Sequence, residues 1–338
     1  MKNKFLPITL IALLLFVLAS LTVYSINKST RNDTPLATLY SNQNNNDLSC
    51  LLKDAILSAK HSIFIEIFTF TDPQILHALN KQAEKGIDIT IVYDAKNSFG
   101  LKKKLHPAIS SLPKRKIQGL MHRKILIVDK SQIWIGSTNF TTQSLRMHGN
   151  LLMCLESEEM ARGIINEVLK TQALLKHDYY IGNQHIELWL LPDPQAKPRL
   201  LQLITSAQDS IKIAMFTWTD PIITQAIIDA NKRGVKVEVI LDYNSSLGAS
   251  KNVASLLAEQ VHYFAVSSGS ELFHYKFAFI DNKTLIHGST NWTRSAFERN
   301  EECHVIIQEL DQEQNIFLNS LWNTLKHYTK KELSQKAA

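Results

Sequence analysis

The chain has 338 residues, 45% of them hydrophobic and 20% charged. That is enough apolar content for one large or two medium globular domains, and it excludes disordered, collagen-like and coiled-coil classes. Formal net charge is +6; Lys2, Lys4 and Lys28 lie in or beside an N-terminal segment with no acid before Asp33, which leaves +3 for the body (6 minus 3). Such mild basicity suits a phosphate-bearing partner without requiring one.

In chain order, Phe5 to Ile26 is uncharged throughout and long enough to span a bilayer as a helix. Two readings fit residues 1–27: a retained signal-anchor, or a secretory signal peptide cleaved at a small-residue site such as Val17-Leu18-Ala19. The first leaves the protein membrane-anchored by its N-terminal segment; the second leaves it secreted or periplasmic. Lys2 and Lys4 on one side balance Lys28 and Arg31 on the other, so charge gives little orientation. A polar stretch to Asp47, containing NQNNND, reads as a tether over 28–47 that overlaps the first strand of the body.

Beyond it, Ile63–Phe70 is a short β-branched and aromatic run, expected as a strand. Asp72-Pro73 has the pattern of an N-cap followed by proline at the first helical position, starting a helix that ends near Gly86. Ile87–Tyr93 follows as a second strand. The basic segment LKKKLHPAISSLPKRK carries Lys102, Lys103, Lys104, Lys114, Arg115 and Lys116; it reads either as a solvated face or as a rim that attracts phosphate. Ile125–Val128 is an apolar strand that starts at a histidine and a lysine and stops at Asp129; Gln132–Ile135 leads back to a Gly-Ser turn.

The same order then recurs. SAKHSIFIEIFTFTDP at 58–73 matches SAQDSIKIAMFTWTDP at 206–221, an offset of 148, with strands expected at Ile211–Trp218 and Val235–Leu241 and a helix from Asp220-Pro221 to Gly234. The later block recurs at an offset of 152: His122, Lys124, Asp129 and Gly136-Ser137-Thr138-Asn139 correspond to His274, Lys276, Asp281 and Gly288-Ser289-Thr290-Asn291. The chain is therefore a duplication, with lobes expected at 36–182 and 183–330. Alternating strands and helices argue α/β layering.

A histidine at a strand start beside a Gly-Ser turn is by itself ordinary structure. Here the polar set is held in two copies while the filler between diverges (RKILIVDKSQIWI against YKFAFIDNKTLIH). Packing alone gives no reason for that selectivity. The residue types suit a phosphodiester: one histidine as nucleophile at phosphorus and the second as the acid that protonates the leaving oxygen. Lys124 and Lys276 supply charge, and Ser137, Asn139, Ser289 and Asn291 supply donors, for the non-bridging oxygens. A Gly-Ser turn is also expected to bring backbone N–H groups to a phosphate. This set needs no metal or other cofactor, and there is no carboxylate cluster of metal-binding type in the sequence. Cys50, Cys154 and Cys303 lack metal-ligand spacing; Cys154 and Cys303 read as small buried hydrophobes, with a disulfide open if the body is extracytoplasmic. Phe70 and Trp218 match across the copies as core residues, and His148 and His287, without counterparts, read as structural or surface groups.

On these residues the chain resembles the phospholipase D superfamily, whose signature is His-x-Lys-x4-Asp-x6-Gly-Ser-x-Asn, over roughly Thr38 to Gln308; it is also similar to small bacterial HKD endonucleases, which dimerise to obtain what this chain has in tandem. The resemblance implies two α-β-α sandwich lobes related by a pseudo-twofold axis, and a site formed within one chain so that a monomer suffices. It implies a phosphohistidine intermediate with His122 as nucleophile and His274 as acid and then base. Asp129 and Asp281 belong to the motif but rank below the histidines and lysines as structural or orienting groups.

Relatives often place Asn-x-Glu after the Gly-Ser turn, its carboxylate orienting the catalytic imidazole. Asn300-Glu301-Glu302 fits that pattern, whereas Asn150-Leu151-Leu152 leaves no carboxylate opposite His122. Glu66, where the other copy has Ala214, is then a candidate substitute for orienting His122; the plainer alternative is a strand glutamate facing solvent or paired with a basic side chain. Four functions remain: a phospholipase D-type hydrolase of phospholipid headgroups, favoured by the hydrophobic N-terminal segment; an endonuclease; a phosphatidyltransferase of cardiolipin synthase type; and a membrane-tethered phosphate-binding protein, which intact His and Lys in both copies argue against.

Overall fold

The computed structural model describes residues 36–114, 119–172, 177–267 and 271–330. The hydrophobic segment at 1–27, the first part of the expected tether, and Arg115 and Lys116 lie outside the described residues. Among those described, no helix is long and apolar enough to cross a membrane.

The first lobe is a seven-stranded sheet built from β1 (Thr38–Tyr40), β2 (Ser62–Ile67), β3 (Asp88–Asp94), β4 (Ser110–Lys114), β5 (Lys124–Val128), β6 (Gln132–Gly136) and β7 (Leu152–Glu156), in the order β1-β7-β6-β5-β2-β3-β4. The second comprises β8 (Asp178–Ile181), β9 (Gln184–Leu191), β10 (Ser210–Met215), β11 (Lys236–Leu241), β12 (Tyr263–Ser267), β13 (Lys276–Ile280), β14 (Thr284–Gly288), β15 (Glu302–Ile307) and β16 (Thr329–Lys330). Its order, β16-β12-β11-β10-β13-β14-β15-β9-β8, repeats the first with one strand added at each edge. In both lobes the two strands joined by a crossover helix run parallel and the motif hairpin runs antiparallel beside them: β2 pairs β3 and β5, and β10 pairs β11 and β13.

Local chemistry accounts for the elements. Asp72 caps the helix Pro73–Glu84 by accepting from Gln74 and Ile75 N–H, and Asp220 does the same for Pro221–Lys232, each with proline where its missing N–H costs nothing. Gly86 and Gly234 end these helices at φ 84° and 95°, the left-handed conformation that favours glycine. Alternation along β2 and β10 sorts their side chains. Ile63, Ile65 and Ile67 pack under the helices of lobe one and Ile211, Ile213 and Met215 under those of lobe two. The opposite faces, with Phe64, Ile125, Ile127 and Ile135 from one lobe and Ala214, Phe277, Phe279 and Val305 from the other, share one core together with the helices Glu158–Val168 and Gln312–His327. Each fully buried aliphatic side chain there contributes about 1.5–3 kcal/mol of transfer free energy. Phe70 and Trp218 are buried, each edge-on to an aromatic partner, Phe140 and Trp292.

Two expectations change. β8 precedes the expected lobe boundary at 182/183 yet pairs with β9 in the second sheet, so that boundary falls inside a hairpin. The asparagine-rich stretch is packed structure where it is described: Asn42 Nδ2 donates to Leu145 O, buried Ser41 meets Tyr275 of the other lobe at 2.8 Å, and Asp47 caps the helix Leu48–Ser58. The three cysteines are free thiols, and burial pushes Cys154 and Cys303 up to about 12.

Candidate active site

Each motif histidine stands two residues before the first residue of a central hairpin strand, β5 or β13. Ile67 pairs with Lys124 and Met215 with Lys276, so the end of one strand, the motif histidine and the motif lysine converge at one edge of each sheet. The edges meet. His122 and His274 each hydrogen-bond a side chain of the other lobe, and, after burial, the charges of Lys276 and Lys124 lower His274 while those of Lys124 and Lys276 lower His122, so the four buried groups lie close together where the lobes meet. The phenylalanine that opens the repeated Phe-Thr-aromatic-Thr-Asp-Pro segment lines this cluster on each side. Phe68 lies 4.9 Å from the His122 ring and 4.9 Å from Lys124 Nζ, and Phe216 lies 5.0 Å from both the His274 ring and Lys276 Nζ. These two rings were visible in the sequence only as part of the repeat.

The imidazoles are oriented across the lobes. His122 Nδ1 donates to Glu302 Oε2 at 2.8 Å, and Glu302 is further held by Ser289 Oγ at 2.5 Å and Asn300 Nδ2 at 3.1 Å. His274 Nδ1 donates to Asn150 Oδ1 at 3.1 Å. The direction follows from the amide: Asn150 Nδ2 donates to Ser144 O at 2.8 Å and Oδ1 also accepts from Ser137 Oγ at 2.8 Å, which leaves its oxygen facing the ring. Both imidazoles therefore carry hydrogen on Nδ1 and present Nε2 to the pocket.

Glu302 thus serves the other lobe's histidine, and Asn150 holds the equivalent place in lobe one. Gly136 pairs with Leu152 and Gly288 with His304, which fixes the offset at 152 and puts Asn150, not Leu152, opposite Glu302. The offset already visible in the motif, applied eleven residues past Asn139, finds Asn150. The expected role of Glu66 is corrected as well. It is fully buried in β2, but its carboxylate takes Lys114 Nζ at 3.1 Å and Arg123 Nη1 at 3.5 Å. Arg123 in turn donates to the backbone oxygens of Glu302 and Leu191 at 3.0 and 2.8 Å, and Lys114 reaches Glu301 at 2.7 Å. Glu66 therefore belongs to an ion-pair network that staples the lobes behind the site, and Lys114 is drawn into it and away from the basic rim.

The motif aspartates lie at the far ends of β5 and β13. Asp129 accepts from the N–H groups of Lys60, His61 and Ser62, and Asp281 from Gln208, Asp209 and Ser210. Both also start hairpin turns, at φ 50° and 52°, a conformation that aspartate tolerates well. Burial alone would raise the Asp129 carboxyl; the three backbone donors outweigh it and hold it below the ordinary range. Their contacts make them clamps at the strand ends opposite the motif histidines.

The serines are corrected too. Ser137 and Ser289 spend their hydroxyls on Asn150 and Glu302, and their N–H groups on Leu151 O and Cys303 O. Glycine precedes each because that strand passes too close for a side chain: a Cβ on Gly136 or Gly288 would sit 2.3 or 2.1 Å from the same carbonyls. The Gly-Ser turn supports the orienting residue and offers no serine N–H to a phosphate. Asn139 and Asn291 differ, since each has a buried Oδ1 without a hydrogen-bond partner among the described residues. His148 is half-buried and its charge also depresses His274, whereas His287 is fully buried in the interlobe core.

Burial dominates the electrostatics. It lowers His122 against the opposing pull of Glu302, and lowers His274 well below the usual range with Lys276 and Lys124 adding to the effect. Lys124 falls to about 7 through burial, partly offset by Glu302, and Lys276 falls well below the ordinary lysine range through burial and the Lys124 charge. Glu302 stays low despite burial because His122 and Lys124 lie beside it. Two lysines and two histidines surround Glu302, with the buried Asp242 carboxylate also acting on Lys276, a set whose basic groups gain protons when an anion enters.

The sequence profile of the family described as "Cardiolipin synthase, PLD-like domain" matches residues 52–171 and 200–322, one stretch in each lobe and each containing a complete motif. The chain belongs to the phospholipase D superfamily. It is similar to the human mitochondrial cardiolipin hydrolase, 32% identical over 125 residues that cover 36% of this chain and 48% of that protein. It is also similar to a phospholipase D of Rickettsia prowazekii, 27% identical over 159 residues that cover 46% of this chain and 77% of that one. The chain spans about half the length of the cardiolipin hydrolases it matches. Among solved structures, the phosphatidylserine synthase of Haemophilus influenzae Rd KW20 superposes over 90% of both chains with a TM-score of 0.71 at 12% identity, which shows that the two-lobed fold is shared.

Proposed function

We propose that the chain is a phospholipase D-type phosphodiesterase that hydrolyses phospholipid headgroup esters through a phosphohistidine on His122. The observation that carries this reading is the unequal orientation of the two histidines: a carboxylate behind His122 and a neutral amide behind His274. Attack by His122 Nε2 on phosphorus puts positive charge on its ring, which Glu302 stabilises directly. As the bond to the headgroup oxygen breaks, the Nε2 proton of His274 passes to that oxygen. Asn150 keeps the ring aligned without stabilising its charge, so His274 gives up the proton readily. In the second half, His274 takes a proton from water, the water oxygen bonds to phosphorus, and the bond to His122 breaks to release phosphatidate. Lys124, Lys276, Asn139 and Asn291 hold the non-bridging oxygens, and the anion raises His274 toward its protonated form on binding.

Lipid is favoured because the curated relatives are named for cardiolipin hydrolysis and phospholipase D activity. The test incubates the full chain, in chelator, with phosphatidylglycerol or cardiolipin vesicles, with single-stranded DNA, and with lipid plus a second alcohol. We expect release of headgroup from lipid at a rate well above DNA cleavage, lost in His122→Ala and in His274→Ala. Preferential cleavage of DNA would replace the lipid reading with a nuclease, and transfer to alcohol in excess of hydrolysis would replace it with a transferase. Full activity in either variant would contradict the shared site.

A further inference from the structure

The edge of each sheet that carries the motif histidine also launches a loop with an exposed apolar tip. In lobe one the loop 95–109 leaves the end of β3, beside the end of β2 and the start of β5. Ser98 ties it to the site: its Oγ accepts from Phe70 N at 3.0 Å and donates to Phe68 O at 3.1 Å, in the segment whose Phe68 ring packs on His122. The next residue, Phe99, is 91% exposed. At the 148 offset lobe two has Leu247, 57% exposed, at the end of the short helix Tyr243–Leu247 that follows β11. A serine also fastens that loop, though at a different position: Ser250 Oγ accepts from Trp218 N at 2.9 Å, two residues past Phe216. Both loops leave the sheet edges that carry the motif histidines, and each histidine hydrogen-bonds a residue of the other lobe.

Charge accompanies them. Residues 95–109 contain Lys96, Lys102, Lys103 and Lys104 and no acid, and 243–252 contain Lys251 and no acid. Lys102, Lys103 and Lys104 are exposed, on the short turn of helix directly after Gly100. An isolated aromatic next to lysines would suit a stacked base as well as a bilayer. An aliphatic residue at the repeat-related position does not stack, and both tips are exposed to solvent.

We propose that Phe99 and Leu247 form a two-pronged wedge that enters the headgroup–acyl boundary of an anionic phospholipid bilayer, with Lys102, Lys103 and Lys104 on its phosphates. This seats the opening of the site on the headgroup layer, and it rests on the lipid reading of that site. Apolar tips supply insertion, and the lysines supply selectivity for an anionic surface. The surface does not depend on a separate membrane-spanning segment for its orientation.

The test is a Phe99→Trp variant of the full chain mixed with vesicles of brominated phosphatidylglycerol, brominated phosphatidylcholine, or with single-stranded DNA. The native tryptophans Trp134, Trp189, Trp218, Trp292 and Trp322 are all buried, so the added emission reports position 99. We expect it to be quenched by brominated phosphatidylglycerol, weakly by brominated phosphatidylcholine, and unaffected by DNA. The Phe99→Ser, Leu247→Ser double variant should hydrolyse vesicle phosphatidylglycerol about tenfold more slowly. Replacing Lys102, Lys103 and Lys104 by Gln should cost roughly tenfold or more on anionic vesicles. Both sets should leave hydrolysis of bis(4-nitrophenyl) phosphate, a soluble diester, unchanged. Quenching by DNA in place of lipid, no quenching by either, or equal losses on vesicle and soluble substrates would overturn the wedge. If no phosphodiester is hydrolysed at all, the reading of the site fails while the quenching result still decides the surface.

Discussion

His122 and His274 occupy equivalent places before β5 and β13, each with a lysine two residues on and a phenylalanine ring about 5 Å away. They differ in what stands behind them. His122 leans on Glu302, a buried carboxylate held by Ser289 and Asn300, whereas His274 leans on Asn150, an amide held by Ser137 and Ser144. The geometry of the pair is conserved within the molecule and its charge is not. On the proposed mechanism, the duplicated fold divides its labour through one side-chain position: a ring that tolerates positive charge faces one that sheds it. The cross-lobe contacts also mean that neither lobe holds a complete orienting pair alone.

Two substitutions probe this difference. Glu302→Gln keeps the shape behind His122 and removes the charge; we expect kcat to fall on the order of 10³-fold, with circular dichroism and the melting transition retained. A loss no greater than that for a surface glutamate such as Glu313 would remove the basis for distinguishing the two histidines. Asn150→Asp does the reverse by giving His274 a carboxylate. A carboxylate favours the charged imidazole and so raises its pKa, so the alkaline limb of the pH–kcat/KM profile should move upward, with a change in maximal rate of about tenfold or less. An unmoved profile would show that Asn150 does not set the proton affinity of His274.

The smallest effect concerns stability. His287 stands where lobe one has Ile135, buried in the interlobe core with both ring nitrogens lacking partners among the described residues, and burial lowers it to about 3. Because its folded pKa lies below the ordinary value of 6.5, the unfolded chain binds the proton first. Its contribution is therefore complete above about pH 6.5 and is lost as pH falls toward 3, with a slope of about 1.4 kcal/mol per pH unit. His287→Ile should raise stability at pH 7 by roughly 1–3 kcal/mol and flatten the acid side of a denaturant-midpoint profile. An unchanged acid slope would assign that sensitivity to other groups, His304 among them.

Much of this organisation was legible in the sequence for physical reasons. Proline and aspartate mark the helix starts at Asp72 and Asp220, short β-branched runs mark the strands, and the two offsets of 148 and 152 disclose the duplication. The histidines and lysines stood out because polar residues persisted where filler did not. What sequence pattern could not supply was the partner across the lobes. The Asn-x-Glu pattern places Glu302 beside its own lobe's histidine, and pairing Asn150 with Asn300 hides its equivalence to Glu302. Glu66 looked like a spare acid until its contacts with Lys114 and Arg123 were seen. Persistence has a structural cause as well: Asp129, Asp281, Ser137 and Ser289 each make buried or turn-closing hydrogen bonds that packing cannot replace.

The central claim is that His122 forms the covalent bond and His274 only moves protons. The most direct measurement is rapid acid-free quenching of His274→Ala during turnover of a diester with a good leaving group, such as bis(4-nitrophenyl) phosphate, followed by peptide mass mapping. The leaving group then needs no acid, and without His274 the intermediate loses its water-activating base. The account predicts a phosphoryl adduct on the peptide containing His122, with none in His122→Ala. An adduct on His274 in the His122→Ala protein, with none on His122 in the converse variant, would contradict it.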